Sequence, residues 1–343
     1  MKHSLIPTVA LLVVCAWTTP TIARDYRYTD AHLHYVDFFQ KTEGMDDLFE
    51  AMDAAGVDHA VIAGMPLTKK WHEDEPQRPR YYQGDDAPVY WYSATDPILV
   101  EAIRDLPSAR RERLHPFLSG FNPNDKNATA HIEQMLRLYP DVWEGIGEVI
   151  TRHDDLTAMI QGDTPRANGE AMMRVYKLAA EHDLPVLLHS NLTSVREREP
   201  IYLEELEEAL SKNRDTRIIW AHAGTSGEIN RWQEEMPYLL PTIESLLARH
   251  DNLWIDLSWS VLEPHILDDE GKPRTAWLTL IRAHPDRFMI GSDLVGRFGN
   301  LGESMHRFDP LLDALDAAVA RKLARDNLLA ILPRKPARLA SDD

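Results

Sequence analysis

Between residues 26 and 332, short apolar runs of strand length alternate with longer stretches whose apolar residues recur every three or four positions. The runs Tyr26–His34, Asp58–Gly64, Leu114–Phe121, Glu144–Ile150, Pro185–His189, Arg217–His222, Leu253–Ser258 and Arg287–Asp293 read as eight strands. The periodic stretches Met45–Ala55, Pro97–Asp105, Ala128–Tyr139, Gly169–His182, Pro200–Lys212, Pro237–His250, Thr275–Ala283 and Pro310–Leu332 read as helices between and after them. Strictly alternating strands and helices imply an α/β fold with a parallel sheet, because each helix carries the chain back to the starting edge. Eight such pairs over ~310 residues fit a (β/α)8 TIM barrel with insertions. A doubly wound open sheet is the other architecture that this pattern permits. Two connections are too long for simple turns, residues 65–96 after strand two and 151–168 after strand four. In a barrel both are rim loops at the C-terminal face, where active sites are built.

The first residues break the pattern. A basic start, Met1 to Ser4, leads into the apolar run Leu5 to Trp17 and then the small-residue stretch Thr18 to Ala23. Thr21 and Ala23 stand where a signal peptidase reads, so residues 1–23 are expected to be a signal peptide and 24–343 the single mature domain. The apolar run is short for a membrane span of ~20 residues. These residues point to a periplasmic or secreted protein with no stable membrane insertion after cleavage.

Composition narrows the chemistry further. Cys15 is the only cysteine, so the cleaved chain has no disulfide, and any metal site must use His, Asp and Glu. With 44% hydrophobic and 27% charged residues the chain is globular rather than disordered. A formal net charge of −18 argues against broad electrostatic binding to nucleic acid or anionic membranes and leaves a small molecule as the expected partner. Homo-oligomers are compatible with all of this.

Candidate chemistry begins in "YTDAHLHYVDF". Alternate residues of a strand share a face, so Asp30, His32 and His34 point the same way, with both histidines at the strand's C-terminal end. A His-x-His pair alone is a weak signal. Four other strands strengthen it: "EGIGEVI" carries Glu148, "PVLLHSN" ends in His189, "RIIWAHAG" ends in His222 and "RFMIGSDLVG" ends in Asp293. A barrel would gather these groups around one axial point. Such a buried polar cluster is uncompensated unless something cationic holds it. Imidazole and carboxylate donors suit Zn²⁺ first, with Mn²⁺ or Fe²⁺ as alternatives. Ligands spread over five strands favour a catalytic site of one or two metals.

The order His-x-His, Glu, His, His, Asp, in the phrases "DAHLH", "GIGEV", "LLHSN", "WAHAG" and "IGSD", resembles the amidohydrolase superfamily, most closely its amidohydrolase 2 branch. The resemblance covers nearly all of the mature chain. It implies that His32, His34 and Asp293 hold the more buried metal. His189 and His222 would bind a second metal, or one would ligate and the other contact substrate. Many binuclear relatives bridge their metals with a carboxylated lysine at the end of strand four. Glu148 stands there instead, either as a bridge or as a group behind the ligands.

The implied reaction is hydrolysis of an amide, lactone or other ester, with Asp293 as general base and His222 as a second catalytic group. The same branch contains metal-dependent, non-oxidative decarboxylases, which supply the alternative. A non-catalytic exported metal- or ligand-binding barrel is the third reading. Arg152, His153 and Asn191 are candidate substrate-binding residues, with a solvated charged turn the plain alternative for the first two. Asp30 is expected to orient a ligand from behind, and Trp259 to wall a pocket. The leader generates the first prediction: mass spectrometry of protein exported by a Gram-negative host should find Arg24 as the N-terminal residue. Full-length protein retained in the membrane fraction would refute cleavage.

Overall fold

The computed structural model describes residues 26–69, 89–153, 156–160, 162–233 and 235–333. The leader expected at 1–23, Asp154 and Asp155 of the charged turn, and residues 70–88 of the long connection after strand two lie outside the described residues.

Twelve strands form among the described residues, and ten of them make one curled sheet. The first barrel strand is in two pieces, β1 (Tyr28–Asp30) and β2 (Leu33–Val36). Both run parallel to β3 (Val57–Gly64). From β3 the parallel ladder continues through β6 (Leu114–Leu118), β7 (Gly145–Thr151), β8 (Val186–Ser190), β9 (Ile218–Trp220) and β10 (Leu253–Asp256). The eighth barrel strand is again in two pieces, and they face opposite neighbours. β11 (Phe288–Met289) pairs with β10, whereas β12 (Leu294–Val295) pairs with β2. Between them the Ala31 N–H bonds the Ile290 carbonyl at 3.0 Å and the Asp293 N–H bonds the His32 carbonyl at 2.7 Å. The ladder therefore closes on itself as a barrel. β4 (Leu67–Lys69) and β5 (Val89–Trp91) form a separate antiparallel pair in the connection after strand two.

The helices Met45–Ala55, Thr95–Arg104, Ala128–Leu138, Glu170–Glu181, Leu203–Lys212, Leu239–Arg249 and Thr275–Ala283 follow the apolar periodicity. Each buries one stripe against the outer face of the sheet, as Leu48, Phe49 and Met52 do on the first. The expected single helix Pro310–Leu332 is instead broken into Asp309–Asp313, Ala317–Arg321, Lys322–Asp326 and Asn327–Ile331. Asp316 causes the break: its side chain accepts the Val319 N–H and starts a new helix there. The last turn plugs the barrel's interior, where Leu328, Ile331 and Leu332 pack on Val61, Phe117, Leu187, Ile219 and Met289. His59, His115 and Glu144 form a polar chain at the N-terminal end of the strands. His115 Nδ1 lies 2.7 Å from Glu144, and its Nε2 lies 3.2 Å from His59. No described helix is long and apolar enough to cross a membrane.

Two buried aspartates pin the C-terminal face. Asp30 accepts the His32 N–H at 3.0 Å, the Ser292 N–H at 2.9 Å and the Ser292 hydroxyl at 2.5 Å. It therefore joins strands one and eight through the backbone and does not hold a ligand ring, as the sequence had suggested. Burial pushes its carboxyl up to about 6, against the three hydrogen bonds it accepts. Asp96, at the start of the helix Thr95–Arg104, accepts the N–H groups of Ser119 at 3.0 Å and Gly120 at 2.9 Å, at the end of strand three. Asp96→Ala would leave both N–H groups buried without an acceptor, at a cost of about 2–3 kcal/mol. A urea titration should show that loss as a lower midpoint at unchanged slope; an unchanged midpoint would remove Asp96 from this role.

Candidate metal centre

The strands deliver their polar ends to one place, and the backbone bends sharply to do so. Among the described residues, eight non-glycine residues have positive φ, and Arg152, His222, Ala223, Trp259 and Asp293 are five of them. All five follow strands four, six, seven or eight on the C-terminal side. Left-handed backbone costs energy for a side-chain-bearing residue, and its clustering here marks a site whose geometry the surrounding fold imposes. His222 is thus not the last residue of strand six. It sits in a left-handed turn after Trp220, at φ 53° and ψ 24°. Asp293 is likewise not in a regular strand but in the gap between β11 and β12. Gly147, at φ 125°, is needed for a different reason: a Cβ there would collide with the Leu187 carbonyl. Its absence lets strand four press against strand five and brings Glu148 to His189.

The inward atoms converge closely. His32 Nε2 and His34 Nε2 are 3.2 Å apart. Asp293 Oδ1 lies 3.4 Å from the first and 3.3 Å from the second. Glu148 divides its oxygens, with Oε2 3.3 Å from His34 Nε2 and Oε1 3.5 Å from His222 Nε2 and 3.0 Å from His189 Nδ1. Asp293 Oδ2 is 3.9 Å from His222 Nε2. Two groups have donor atoms all within 4.8 Å of one another, His32–His34–Asp293 and His32–Glu148–His222. They share His32, so five side chains surround essentially one point.

Outer partners set which nitrogens face inward. His32 donates from Nδ1 to Asp256 at 2.9 Å, leaving the Nε2 lone pair at the centre. The Ser258 hydroxyl donates to Asp256 at 2.5 Å and accepts from His222 Nδ1 at 2.9 Å, so that ring also presents Nε2 inward. Among the described residues His34 Nδ1 is buried without a partner, and its polar contacts are all made through Nε2.

The charges call for a cation. Burial disfavours an ionised Glu148, yet His32 and the hydrogen bonds from His189 and His222 hold its carboxyl well below the usual carboxylate range. Asp256 is also held down, against burial, by His32 and His222. In return, Glu148 and Asp293 overcome the burial penalty on the His32 imidazolium and lift its pKa well above the ordinary histidine value. His34 rises too, against burial, through Asp293 and Glu148. Two carboxylates, Glu148 and Asp293, and three inward imidazole nitrogens form a donor set that fits a divalent ion, which neutralises the acids without protonating the rings.

The structure sorts the other expected residues. His189 lies beside the convergent groups rather than in them, with Nδ1 on Glu148 and Nε2 3.0 Å from the Asn191 amide oxygen. Asn191, expected to contact substrate, is 1% exposed, and its amide oxygen faces His189 Nε2. Arg152 also has protein partners. Its guanidinium pairs with Glu205 through two nitrogens and lies 4.2 Å from the Tyr202 ring centre, away from the cavity. His153 does reach the site, and burial together with nearby His189 holds its imidazole well below the ordinary histidine pKa.

Asp256 and Ser258 went unread. The signal that found Glu148 and His189, a polar residue closing an apolar strand, was equally present in "LWIDLSWS". A small cavity of about 30 Å³ over the centre is lined by His34, Glu148, His153, His189, His222, Asp293 and Trp259, with Phe38, Met65, Leu156 and Val295 as its apolar wall. An outer cleft of about 470 Å³ shares Phe38, Asp293 and Val295 with it and opens past Phe39, Arg297 and Asn300.

Known proteins bear on this geometry. No curated protein matches the chain. Among solved structures, an uncharacterised TIM-barrel protein from Bordetella bronchiseptica is 15% identical, covering 89% of this chain and 98% of its own, at a TM-score of 0.54. A probable 2-pyrone-4,6-dicarboxylic acid hydrolase from Acinetobacter baumannii is 12% identical over 89% and 99% of the two chains, at 0.51. A 2,6-dihydroxybenzoate decarboxylase from Rhizobium is 13% identical over 89% and 98%, at 0.50. At these identities the likenesses establish the barrel fold. A family model described as Amidohydrolase matches residues 29–334. The chain therefore belongs to the amidohydrolase-2 family of metal-dependent enzymes, which includes both hydrolases and decarboxylases.

Proposed function

We propose that this chain is a metal-dependent hydrolase that uses water to cleave an amide, lactone or other ester bond of a small molecule. The observation that carries the reading is the placement of Asp293. Its side chain is 14% exposed, against 4% for Glu148 and 0% for Asp256, so it alone of the three carboxylates meets both the buried centre and the cleft. A general base for water needs that double access.

His32, His34, Asp293, Glu148 and His222 would hold the divalent ion, Zn²⁺ by its liking for imidazole and carboxylate donors. When bound, such an ion supplies Lewis acidity that polarises an acyl oxygen and brings the pKa of water down to about 7. Asp293 takes the proton of the attacking water and returns it to the leaving nitrogen or oxygen. Asp256 keeps His32 in one tautomer and orientation. The divided oxygens of Glu148 support a carboxylate that spans the His32–His34 side and the His189–His222 side, where a second ion would need it. Substrate enters through the outer cleft, and the wall of Phe38, Met65, Leu156 and Val295 keeps bulk water from the bond under attack. Export through the leader would place this reaction in the periplasm or outside the cell.

Two experiments test the reading. Elemental analysis of the purified protein should find at least one divalent ion per chain, and His32→Ala should abolish it. Asp256→Asn should weaken metal affinity about 10–100-fold. Retention of the metal by His32→Ala would displace the proposed centre. On a panel of lactones, amides, esters and aromatic carboxylic acids, the metal-loaded protein should hydrolyse at least one acyl compound, and Asp293→Asn should lower kcat about 10²–10⁴-fold. Carbon dioxide release from an acid with no acyl hydrolysis would make the chain a decarboxylase. No turnover at all would leave the non-catalytic barrel.

A further inference from the structure

Two histidines of the cavity, His153 and His189, lie outside the convergent group, and His189 already spends its two ring nitrogens on Glu148 and Asn191. His153 follows β7 by two residues, is 4% exposed, and lines the cavity beside Glu148, His34 and Asp293. Its backbone is fixed by Thr157, whose N–H bonds the His153 carbonyl at 2.8 Å and whose hydroxyl accepts the His153 N–H at 3.2 Å. Its ring stacks on His189 at 4.4 Å between centres and 22° between planes, with the Trp259 ring 6.0 Å away at 28°. Two stacked neighbours leave the ring little freedom to turn.

The tautomer follows from one hydrogen bond. The Leu156 N–H points at His153 Nδ1 at 3.4 Å, so Nδ1 is the acceptor. In a neutral ring the proton is then on Nε2. Among the described residues nothing accepts from Nε2, and that atom is not among the buried polar atoms lacking partners, so it opens onto the cavity. A nitrogen that carries a proton has no lone pair for a metal. It can donate to an oxygen of whatever occupies the cavity.

We propose that His153 is a catalytic residue that donates its Nε2 proton in a hydrogen bond to the acyl oxygen of the substrate, most strongly when that oxygen becomes an oxyanion. The inference rests on the hydrolytic reading. As the water oxygen bonds to the acyl carbon, its proton passes to Asp293 and the C=O π electrons move onto the acyl oxygen facing His153. When the carbonyl re-forms, the bond to the leaving group breaks and that group takes the proton from Asp293. His153 neither gains nor loses a proton. Its donor is already oriented, so no reorganisation is needed as the charge develops.

The test compares His153→Phe, which keeps a stacked ring but has no donor, with His153→Gln, whose amide nitrogen can stand near the imidazole Nε2. Both variants should retain the wild-type metal content, whereas a fall in metal for His153→Phe would make His153 a ligand and overturn the proposal. Calorimetric binding of methylphosphonate, a tetrahedral oxyanion, to the metal-loaded protein gives a readout without turnover. His153→Phe should bind it at least about tenfold more weakly, and His153→Gln should stay near wild type. On any ester or lactone that is hydrolysed, His153→Phe should lower kcat about 10²–10³-fold with little change in KM. Failure of the wild type to bind methylphosphonate, or equal binding by His153→Phe, overturns the donor role. Phosphonate binding that depends on His153 with no acyl hydrolysis on the panel would instead overturn the reaction and leave the donor standing.

Discussion

Everything at the C-terminal face follows from the need to hold three carboxylates close together out of water. Two like charges 4 Å apart repel by about 4 kcal/mol at an effective dielectric near 20. A domain is stable by only about 5–15 kcal/mol in total. Glu148, Asp256 and Asp293 can therefore share this space only because imidazoles separate them and positive charge compensates them. The shifts of these groups and their partners agree, with Glu148 and Asp256 held ionised and His32 and His34 driven towards the cation. A divalent ion meets the same demand more compactly, and the family's metal dependence is its chemical expression.

Holding that arrangement costs strain and backbone hydrogen bonds elsewhere. His222, Trp259 and Asp293 accept left-handed backbone so that their side chains point at the centre rather than along the sheet. Asp30 and Asp96 give up buried carboxylates to pin the neighbouring backbone, Asp30 at the seam where strands one and eight close the barrel. The N-terminal end has a different economy. There the plug of Leu328, Ile331 and Leu332 fills the interior, and His59, His115 and Glu144 satisfy one another. One end of the same barrel is packed for stability and the other is polar, bent and open to a cleft.

The site also separates residues by the partner each has found. Asn191 and Arg152 looked like substrate contacts because they follow site strands in sequence. Each has a protein partner, His189 for the first and Glu205 for the second. His153, from the same turn as Arg152, is the residue left with an uncommitted donor. Neighbours in a rim loop can face opposite directions, so sequence adjacency to a strand end does not predict which side chain enters the cavity.

The sequence by itself determined the eight-fold alternation of strand and helix, because burial on both faces of a parallel sheet and on one stripe of each helix leaves periods that can be read directly. It also yielded His32, His34, Glu148, His189, His222 and Asp293, since each is a polar residue ending a run that is otherwise apolar. Asp256 carries the same mark in "LWIDLSWS". Other features are set by distances between segments far apart in the chain. Only the tertiary structure decided that Asp256 holds His32, 224 residues away, that Glu205 takes Arg152, and that the Asn191 amide oxygen faces His189 Nε2. The breaks at Asp293 and His222 and the division of the last helix at Asp316 are also of this kind. Backbone direction there answers to what must meet at the centre or cap a helix, and hydrophobic period says nothing about either.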